Sequence, residues 1–233
     1  MIQTNSIELR NISKAYGNHT RERLAVKNVT AAFQCGEFTV IAGKSGSGKS
    51  TLLNMLSGID RPTEGEVLHG ETRLGDISEN ELARWRGKNV GIVFQFFQLI
   101  PTLTVLENVL LPMDFCNITP AAQRRAKARN LLERMGVIQY ADCLPSTISG
   151  GEQQRAAVAR SLANDPPFII ADEPTGNLDT GNAESIVGLF REMAFEGKGV
   201  VMVTHNHEIA AVADRVLQLR NGELVSDERV AGL

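Results

Sequence analysis

The pattern of apolar and polar positions predicts two kinds of strand. Residues 6–12 alternate at the period of a half-buried strand. Residues 66–74 and 216–225 each place two short runs around a turn, at Gly70 and at Asn221-Gly222, which predicts antiparallel hairpins. Four other runs are continuously apolar, as in strands buried on both faces of a parallel sheet. These runs are residues 38–42, 90–94, 168–171 and 200–203.

Helical patterns lie between these apolar runs. Thr119-Pro120 predicts a helix start, with Thr119 as the cap and Pro120 in the first helical position, and Gly136 predicts its end. No convincing buried strand lies between about residues 96 and 163, so we predict a helical subdomain there. The predicted fold class is α/β, with a parallel-sheet core, a small antiparallel layer and this helical subdomain in one domain over residues 1–233.

Composition narrows the classes of function. The chain has 233 residues, and its 24 Lys and Arg against 27 Asp and Glu give a net charge of -3. Proteins that bind nucleic acid broadly carry a basic face, so no nucleic-acid partner is expected. The longest apolar runs are strand-sized and the first residues do not resemble a signal peptide, so no membrane span is predicted. Three widely spaced cysteines predict reduced thiols of a cytosolic protein.

The segment GKSGSGKST, between a buried strand and an apolar helical stretch, matches the phosphate-loop pattern G-x-x-x-x-G-K-[ST]. Its glycines allow backbone N–H groups to converge on phosphate oxygens, and a helix that starts near Lys49 points its positive end at the same anion. Ser50 is expected to bind Mg²⁺. Thr51 is also compatible with a place on the helix surface. The predicted nucleotide-binding residues here are Gly43, Lys44, Ser45, Gly46, Ser47, Gly48, Lys49, Ser50 and Thr51.

Two carboxylates, Asp172 and Glu173, follow a buried strand. In open α/β folds this end of the strands is where ligands bind. Neighbouring residues on a strand point to opposite sides, so the two can take different roles. We expect Asp172 to hold Mg²⁺ and its waters, and Glu173 to polarise the water that attacks the terminal phosphate. A solvated turn is the alternative, which the phosphate loop in the same chain disfavours.

The segment ISGGEQQR, residues 148–155, predicts a helix start. Ser149 and Glu152 have the spacing of a capping box, so an ordinary helix start is one interpretation. Ser149, Gly150 and Gly151 also leave N–H groups exposed with no side chain in the way, which is typical of an anion site. Both interpretations can hold together, and the chain would then have two phosphate-binding surfaces.

Together these motifs resemble the ATP-binding cassette (ABC) family of ATPases, because ISGGEQQR is similar to the LSGGQ signature of that family. The resemblance covers nearly the whole chain and implies a P-loop NTPase (RecA-like) fold. It implies that Gln95 senses Mg²⁺ and the attacking water and that His205 bonds the terminal phosphate. It also implies that Tyr16 stacks on adenine. For Tyr16, a role as a loop anchor is the alternative.

The family pattern further implies that two cassettes sandwich two ATP molecules. Ser149, Gly150, Gly151 and Glu152 of one copy would complete the phosphate site of the other, and Asp179 would lie across the interface. ATP and Mg²⁺ are the implied cofactors. The implied catalytic residues are Glu173, His205 and Gln95, and the implied metal ligands are Ser50, Gln95 and Asp172.

Three positions depart from the family pattern. Lys44 stands where relatives usually have Pro, Glu152 where Gln is commoner, and Ile148 where the signature has Leu. None of these changes removes a catalytic group. Glu152 suits a helix N-terminus, but its charge is expected to weaken the approach of ATP from the partner cassette.

Two segments, ADEPTGNLD and FQFFQLIPTLTVLENVLLPM, resemble the subgroup that serves lipoprotein release, macrolide or peptide export, and cell division. This implies a bacterial export or mechanotransmission complex in which the cassettes drive a separate FtsX-like permease from the cytoplasmic face of the inner membrane. Residues 94–103 are an apolar candidate groove for a partner helix, with packing of the helical arm as the alternative. A soluble cassette ATPase acting on ribosomes or DNA is the second hypothesis, and a P-loop kinase is the third.

Overall fold

The computed structural model describes residues 6–17 and 23–230. They form two compact units. The first combines the described residues up to Ala83 with those from Phe190 onward, and the second runs from Arg84 to Leu189. Among the described residues, no helix has the length and apolar character needed to cross a membrane.

The regular elements are named here in chain order. The strands are β1 (Ser6–Tyr16), β2 (Arg23–Gln34), β3 (Phe38–Ala42), β4 (Glu64–His69), β5 (Thr72–Arg73), β6 (Val90–Val93), β7 (Phe168–Asp172), β8 (Gly199–Thr204), β9 (Arg215–Arg220) and β10 (Glu223–Arg229). The α-helices are α1 (Lys49–Leu56), α2 (Glu79–Asn89), α3 (Val105–Cys116), α4 (Ala121–Arg134), α5 (Gly150–Ser161), α6 (Thr180–Phe195) and α7 (His207–Ala210). Short 3₁₀ turns lie at Ile138–Tyr140 and Pro145–Thr147.

The first unit contains an antiparallel sheet with strand order β2-β1-β4-β5. Ile7 of β1 faces Phe33 of β2 on one side and His69 of β4 on the other, and all three are buried. The alternation predicted for residues 6–12 is confirmed, as is the hairpin around Gly70, where β4 pairs with β5. The sequence pattern did not predict strand β2.

The first unit also contains the parallel strands β3, β8 and β9, with β3 between the other two. Every residue of β3 is buried, as a continuously apolar run predicts. Strand β10 pairs antiparallel with β9 through a turn at Asn221 and Gly222, whose φ angles are 51° and 84°. Two consecutive positive φ angles are typical of a type I′ hairpin turn, so this predicted hairpin is confirmed.

The second unit pairs β6 parallel to β7, with Val90 opposite Phe168. Between these two strands, every regular element that the structure describes is helical. Helix α4 begins at Ala121, with Pro120 as its N-cap, so the predicted start is wrong by one residue. The reason is that Pro120 has an extended ψ of 136° and the first helical bond runs from Gln123 N to Pro120 O. Gly136, at φ 70°, ends the helix as predicted.

Candidate nucleotide-binding and catalytic site

The phosphate-loop segment joins β3 to α1 in the first unit. Gly48 has φ 100°, and a Cβ atom there would stand 2.3 Å from Ala25 O of β2. A Cβ atom at Gly43 would stand 2.3 Å from Leu219 O of β9. Because no side chain fits between the loop and these carbonyls, both positions require glycine. A hydrogen bond of 2.9 Å from Gly222 N to Ser47 O also fixes the loop.

Lys49 lies inside this loop rather than on the surface. Its side chain is buried, with 6% of the residue exposed, and Nζ donates to Gly43 O at 2.9 Å and Lys44 O at 3.1 Å. An ammonium group has three N–H bonds, so one remains for a further acceptor. The buried Ser47 hydroxyl has no partner among the described residues. A buried cation and an unpaired hydroxyl in a glycine loop fit a polyanionic ligand.

Tyr16 and Thr51, both predicted nucleotide-binding residues, share a hydrogen bond. The Tyr16 hydroxyl also donates to Asp60 Oδ2 at 2.9 Å. The ammonium of Lys14 lies 5.2 Å from the centre of the Tyr16 ring and donates to Asp60 Oδ1 at 2.6 Å. The hydroxyl is therefore anchored, while 44% of Tyr16 stays exposed. The sequence pattern did not indicate Lys14 or Asp60.

The hydrogen bond between Tyr16 and Asp60 shifts the pKa of both side chains. Burial, followed by the bond to Asp60, raises the pKa of Tyr16 above its usual value. Burial alone would raise the pKa of Asp60, but hydrogen bonds from Lys14, Tyr16 and the Arg61 N–H outweigh it and lower that pKa overall. Asp60 therefore stays ionised and holds both the tyrosine and the lysine.

His205 follows the last residue of β8 and is exposed in the first unit. Strands β3 and β8 are parallel, and Ala42 at the end of β3 stands opposite Thr204 at the end of β8. The phosphate loop and His205 therefore leave the sheet at the same edge. This is the arrangement that a phosphate-contacting histidine needs.

The second unit holds Asp172, Glu173 and Gln95. Asp172 ends β7, and Glu173 follows with φ 43°, in the left-handed region that a non-glycine residue occupies at a cost. The loop after Glu173 lies against Gln95. Gln95 O accepts from Asn177 Nδ2 at 3.0 Å, and a Cβ atom at Gly176 would stand 2.9 Å from Gln95 Nε2. The structure thus brings the predicted glutamine and the loop after the predicted base together.

The ISGGEQQR segment forms the predicted capping box at the start of α5. The carboxylate of Glu152 accepts from Ser149 N at 2.7 Å and from Ser149 Oγ at 2.8 Å. A hydrogen bond from Tyr140, together with the Ser149 bonds, lowers the pKa of Glu152. The same bond raises the pKa of Tyr140. Glu152, which stands where Gln is commoner in the family, therefore gives Ser149 an anionic hydrogen-bond partner.

Asp179 caps the start of α6 in the second unit. Its carboxylate accepts from Asn182 N at 2.9 Å and from Asn182 Nδ2 at 2.7 Å, and these bonds lower the pKa of Asp179. The Asn182 side chain in turn lies directly against Gly151. Asn182, which the sequence pattern did not indicate, thus joins two segments that were predicted to act at a dimer interface.

The apolar candidate groove at residues 94–103 is held by polar side chains. Arg160 donates to the backbone oxygens of Phe97, at 2.7 Å, and Gln98. The buried Asn108 side chain accepts from Ile100 N at 2.7 Å. Phe96 nevertheless leaves 68% of its surface exposed. The segment is therefore fixed by its backbone, with one large aromatic ring directed outward.

The predicted site residues divide between the two units. The first unit holds Tyr16, the loop Gly43 to Thr51, and His205, whereas the second holds Gln95, Asp172, Glu173, the signature and Asp179. The predicted metal ligands offer a hydroxyl from Ser50, an amide from Gln95 and a carboxylate from Asp172. These oxygen donors fit Mg²⁺, which is bound by few protein groups together with phosphate oxygens and water.

Comparison with known proteins identifies relatives of this chain. Residues 26–176 match the family described as ABC transporter. The chain is 44% identical over 223 residues to the ABC transporter ATP-binding protein YvrO of Bacillus subtilis, covering 96% of this chain and 97% of the relative. It is 42% identical to the pyoverdine export ATP-binding/permease protein PvdT of Pseudomonas fluorescens, covering 97% of this chain but 34% of that protein.

A solved structure is also similar. It is the dimeric post-hydrolysis state of the ATP-binding cassette MJ0796 bound to ADP and Pi. MJ0796 is a protein of Methanocaldococcus jannaschii. The TM-score is 0.90 at 41% identity, over 97% of this chain and 100% of the other.

Proposed function

Because this chain belongs to the ABC transporter family and is an ATPase, we propose that it is the nucleotide-binding subunit of a bacterial export or mechanotransmission complex that drives a separate FtsX-like permease. The family resemblance inferred from the sequence is confirmed, and so is the P-loop NTPase fold. The remaining elements of the proposal are the residues that bind ATP, the dimer and the membrane partner.

In the proposed reaction, Lys49 and the N–H groups of its loop hold the phosphates, and Tyr16 stacks on the adenine. Glu173 accepts the proton of the attacking water, while His205 donates a hydrogen bond to the terminal phosphate. Ser50, Gln95 and Asp172 would hold Mg²⁺, which would supply positive charge to offset the charge of the phosphates. The left-handed backbone of Glu173 supports this assignment, since strain of this kind clusters at functional sites.

The proposed working form is a homodimer with two ATP molecules at its interface. Ser149, Gly150, Gly151 and Glu152 of one copy face the phosphates bound by the other, and Asp179 lies across the interface. The dimeric MJ0796 structure supports this arrangement. Hydrolysis would weaken the attraction that holds the two copies together, so that the dimer opens.

One observation carries the proposal of a permease partner. The chain matches only 34% of PvdT, a protein whose name combines an ATP-binding part with a permease. Because that name joins the two functions in one protein, we propose that this ATP-binding cassette also works with a permease. Docking through the exposed Phe96 and its neighbours is part of the same proposal. The cassette would then lie at the cytoplasmic face of the inner membrane.

The test is to isolate the tagged protein from detergent-solubilised membranes of its natural host and to identify what accompanies it. We expect a multi-span membrane protein in a fixed ratio to the cassette, and stimulation of ATP hydrolysis when the two are reconstituted together. Recovery with ribosomes or DNA and without any membrane protein would instead support a soluble cassette ATPase.

A further inference from the structure

Gln154 is a completely buried polar residue within α5, with 0% of its surface exposed. Burying an amide is unfavourable unless it forms hydrogen bonds. Its Nε2 donates to Pro174 O at 2.6 Å and to Phe94 O at 3.4 Å. The buried Oε1 has no partner among the described residues. The side chain is therefore oriented by its two donated bonds.

Both acceptors are next to residues of the proposed catalytic site. Pro174 follows Glu173, and Phe94 precedes Gln95. One amide group therefore joins two backbone positions that are 80 residues apart in the chain (174 − 94). A bond from Gly176 N to Glu173 O at 3.0 Å closes the loop after Glu173. A residue in the left-handed region persists only when its surroundings fix it, and Gln154 supplies part of that constraint.

Helix α5 connects Gln154 to the signature segment. Ser149 is the N-cap of α5, and Gln154 lies about 7.5 Å farther along the helix axis. A helix moves as a unit over such a short distance. Any displacement of the Ser149 end is therefore transmitted to the two carbonyl groups that Gln154 holds.

We propose that Gln154 is a positioning residue that sets Gln95 and Glu173 relative to each other and transmits the position of α5 to both. The inference rests on the proposed function, because it assumes that Gln95 and Glu173 act in hydrolysis. Gln154 itself touches neither ATP nor the attacking water in this assignment.

The test compares Gln154→Met with Gln153→Met in the full-length protein. Methionine keeps the length and volume of glutamine but cannot donate a hydrogen bond. Gln153 is the matched control, because among the described residues its Nε2 donates at 3.2 Å to Ile148 O, just before the start of the same helix. We expect Gln154→Met to lower kcat about tenfold or more, with KM for ATP changed less than about twofold, and Gln153→Met to leave both near wild type.

A second measurement separates positioning from general destabilisation. If Gln95 is displaced, Gln154→Met needs a higher Mg²⁺ concentration for half-maximal activity, whereas its binding of ATP, measured without turnover, is unchanged. If the methionine variant does not fold, Gln154→Asn serves instead, since it keeps the amide but is too short to reach both carbonyls. Its expected effect on kcat and on the Mg²⁺ requirement is the same.

The outcomes distinguish this inference from the proposed function. A wild-type protein that does not hydrolyse ATP would overturn both. Hydrolysis by wild type together with wild-type kcat and Mg²⁺ requirement in the folded Gln154 variants would overturn the positioning role alone. The positioning role would also be overturned if kcat falls only in proportion to a lower melting temperature and the Mg²⁺ requirement does not change.

Discussion

The side chain of Asn182 occupies the space that a side chain on Gly151 would need. A Cβ atom at Gly151 would stand 2.7 Å from Asn182 Oδ1 and 3.0 Å from Asn182 Nδ2. The same carboxamide donates to Asp179 at 2.7 Å. Besides the proposed access to phosphate, Gly151 therefore has a second reason to lack a side chain, because a Cβ atom there would displace the Asn182 side chain that holds Asp179.

We expect Gly151→Ala to push Asn182 aside and to weaken the ATP-dependent dimer about tenfold, while each copy still binds ATP. Sedimentation or size-exclusion chromatography with ATP, in a Glu173→Gln background that prevents turnover, measures the effect. The control is Gly188→Ala in α6, where a Cβ atom would meet nothing within 4 Å. Equal dimerisation of the two variants would contradict the prediction.

Glu173→Gln should separate ATP binding from hydrolysis. Glutamine retains the size of the side chain but cannot accept the proton of the attacking water, so turnover is expected to fall about 100-fold or more. ATP binding should remain, and the protein should accumulate as an ATP-bound dimer. Phosphate release and chromatography with ATP measure the two effects. Glu184→Gln, on the exposed surface of α6, is the control and should behave as wild type. Normal hydrolysis by Glu173→Gln would remove Glu173 from its proposed role.

Glu152→Gln tests the cost of a negative charge in the signature. A glutamine at this position still completes the capping box with Ser149 but lacks the charge that we propose repels the phosphates bound by a partner cassette. We expect the ATP-dependent dimer to become about threefold tighter or more, with the gain reduced at high salt. Glu107→Gln is the matched control, because Glu107 forms the same capping box with Thr104 at the start of α3. A dimer that is unchanged or weaker with Glu152→Gln would refute the repulsion.

The protein contains 2 tyrosines, so each can be followed by its absorbance in alkali. The pKa of both is raised above 10.0, by burial and Asp60 for Tyr16 and by the Glu152 bond for Tyr140. A raised pKa means that folding favours the protonated phenol. Its contribution to stability is present below pH 10 and is lost as the pH rises through the pKa of the folded state.

In a Tyr140→Phe protein the remaining transition belongs to Tyr16. We expect it above that of the denatured chain, and we expect Asp60→Asn to move it down towards the denatured value, because the charged acceptor is removed. An unmoved midpoint in the Asp60→Asn protein would show that Asp60 does not hold the Tyr16 hydroxyl in solution.

Local patterns predicted much of the fold, and their failures have identifiable causes. The continuously apolar runs and the Asn221-Gly222 turn could be predicted because each pattern is contained within a few consecutive residues. Strand β2 lacks such a pattern, because Asn28 adopts a φ of 47° and the pairing with β1 shifts register beside it. An irregularity of this kind breaks the alternation of buried positions, so the sequence of β2 does not show the pattern of a regular strand.

Most residues of the candidate site were predicted from short sequence motifs, and their roles stay predictions. Glycines and charged groups in short motifs located the phosphate loop, the two carboxylates and the signature. Lys14, Asp60 and Asn182 have no such motif, since each acts through side chains that only the folded chain brings near. The Lys14 to Asp60 contact, for example, joins residues 46 positions apart.

Helix α5 carries Gln154 near its middle and Arg160 near its end, and the two side chains hold different segments of the chain. One additional residue between them would rotate everything beyond it by about 100° and shift it by about 1.5 Å. No single insertion or deletion between the two residues can preserve both attachments. The number of residues between Gln154 and Arg160 is therefore as constrained as their identities, and a protein engineer who wishes to alter this part of the helix must do so by substitution.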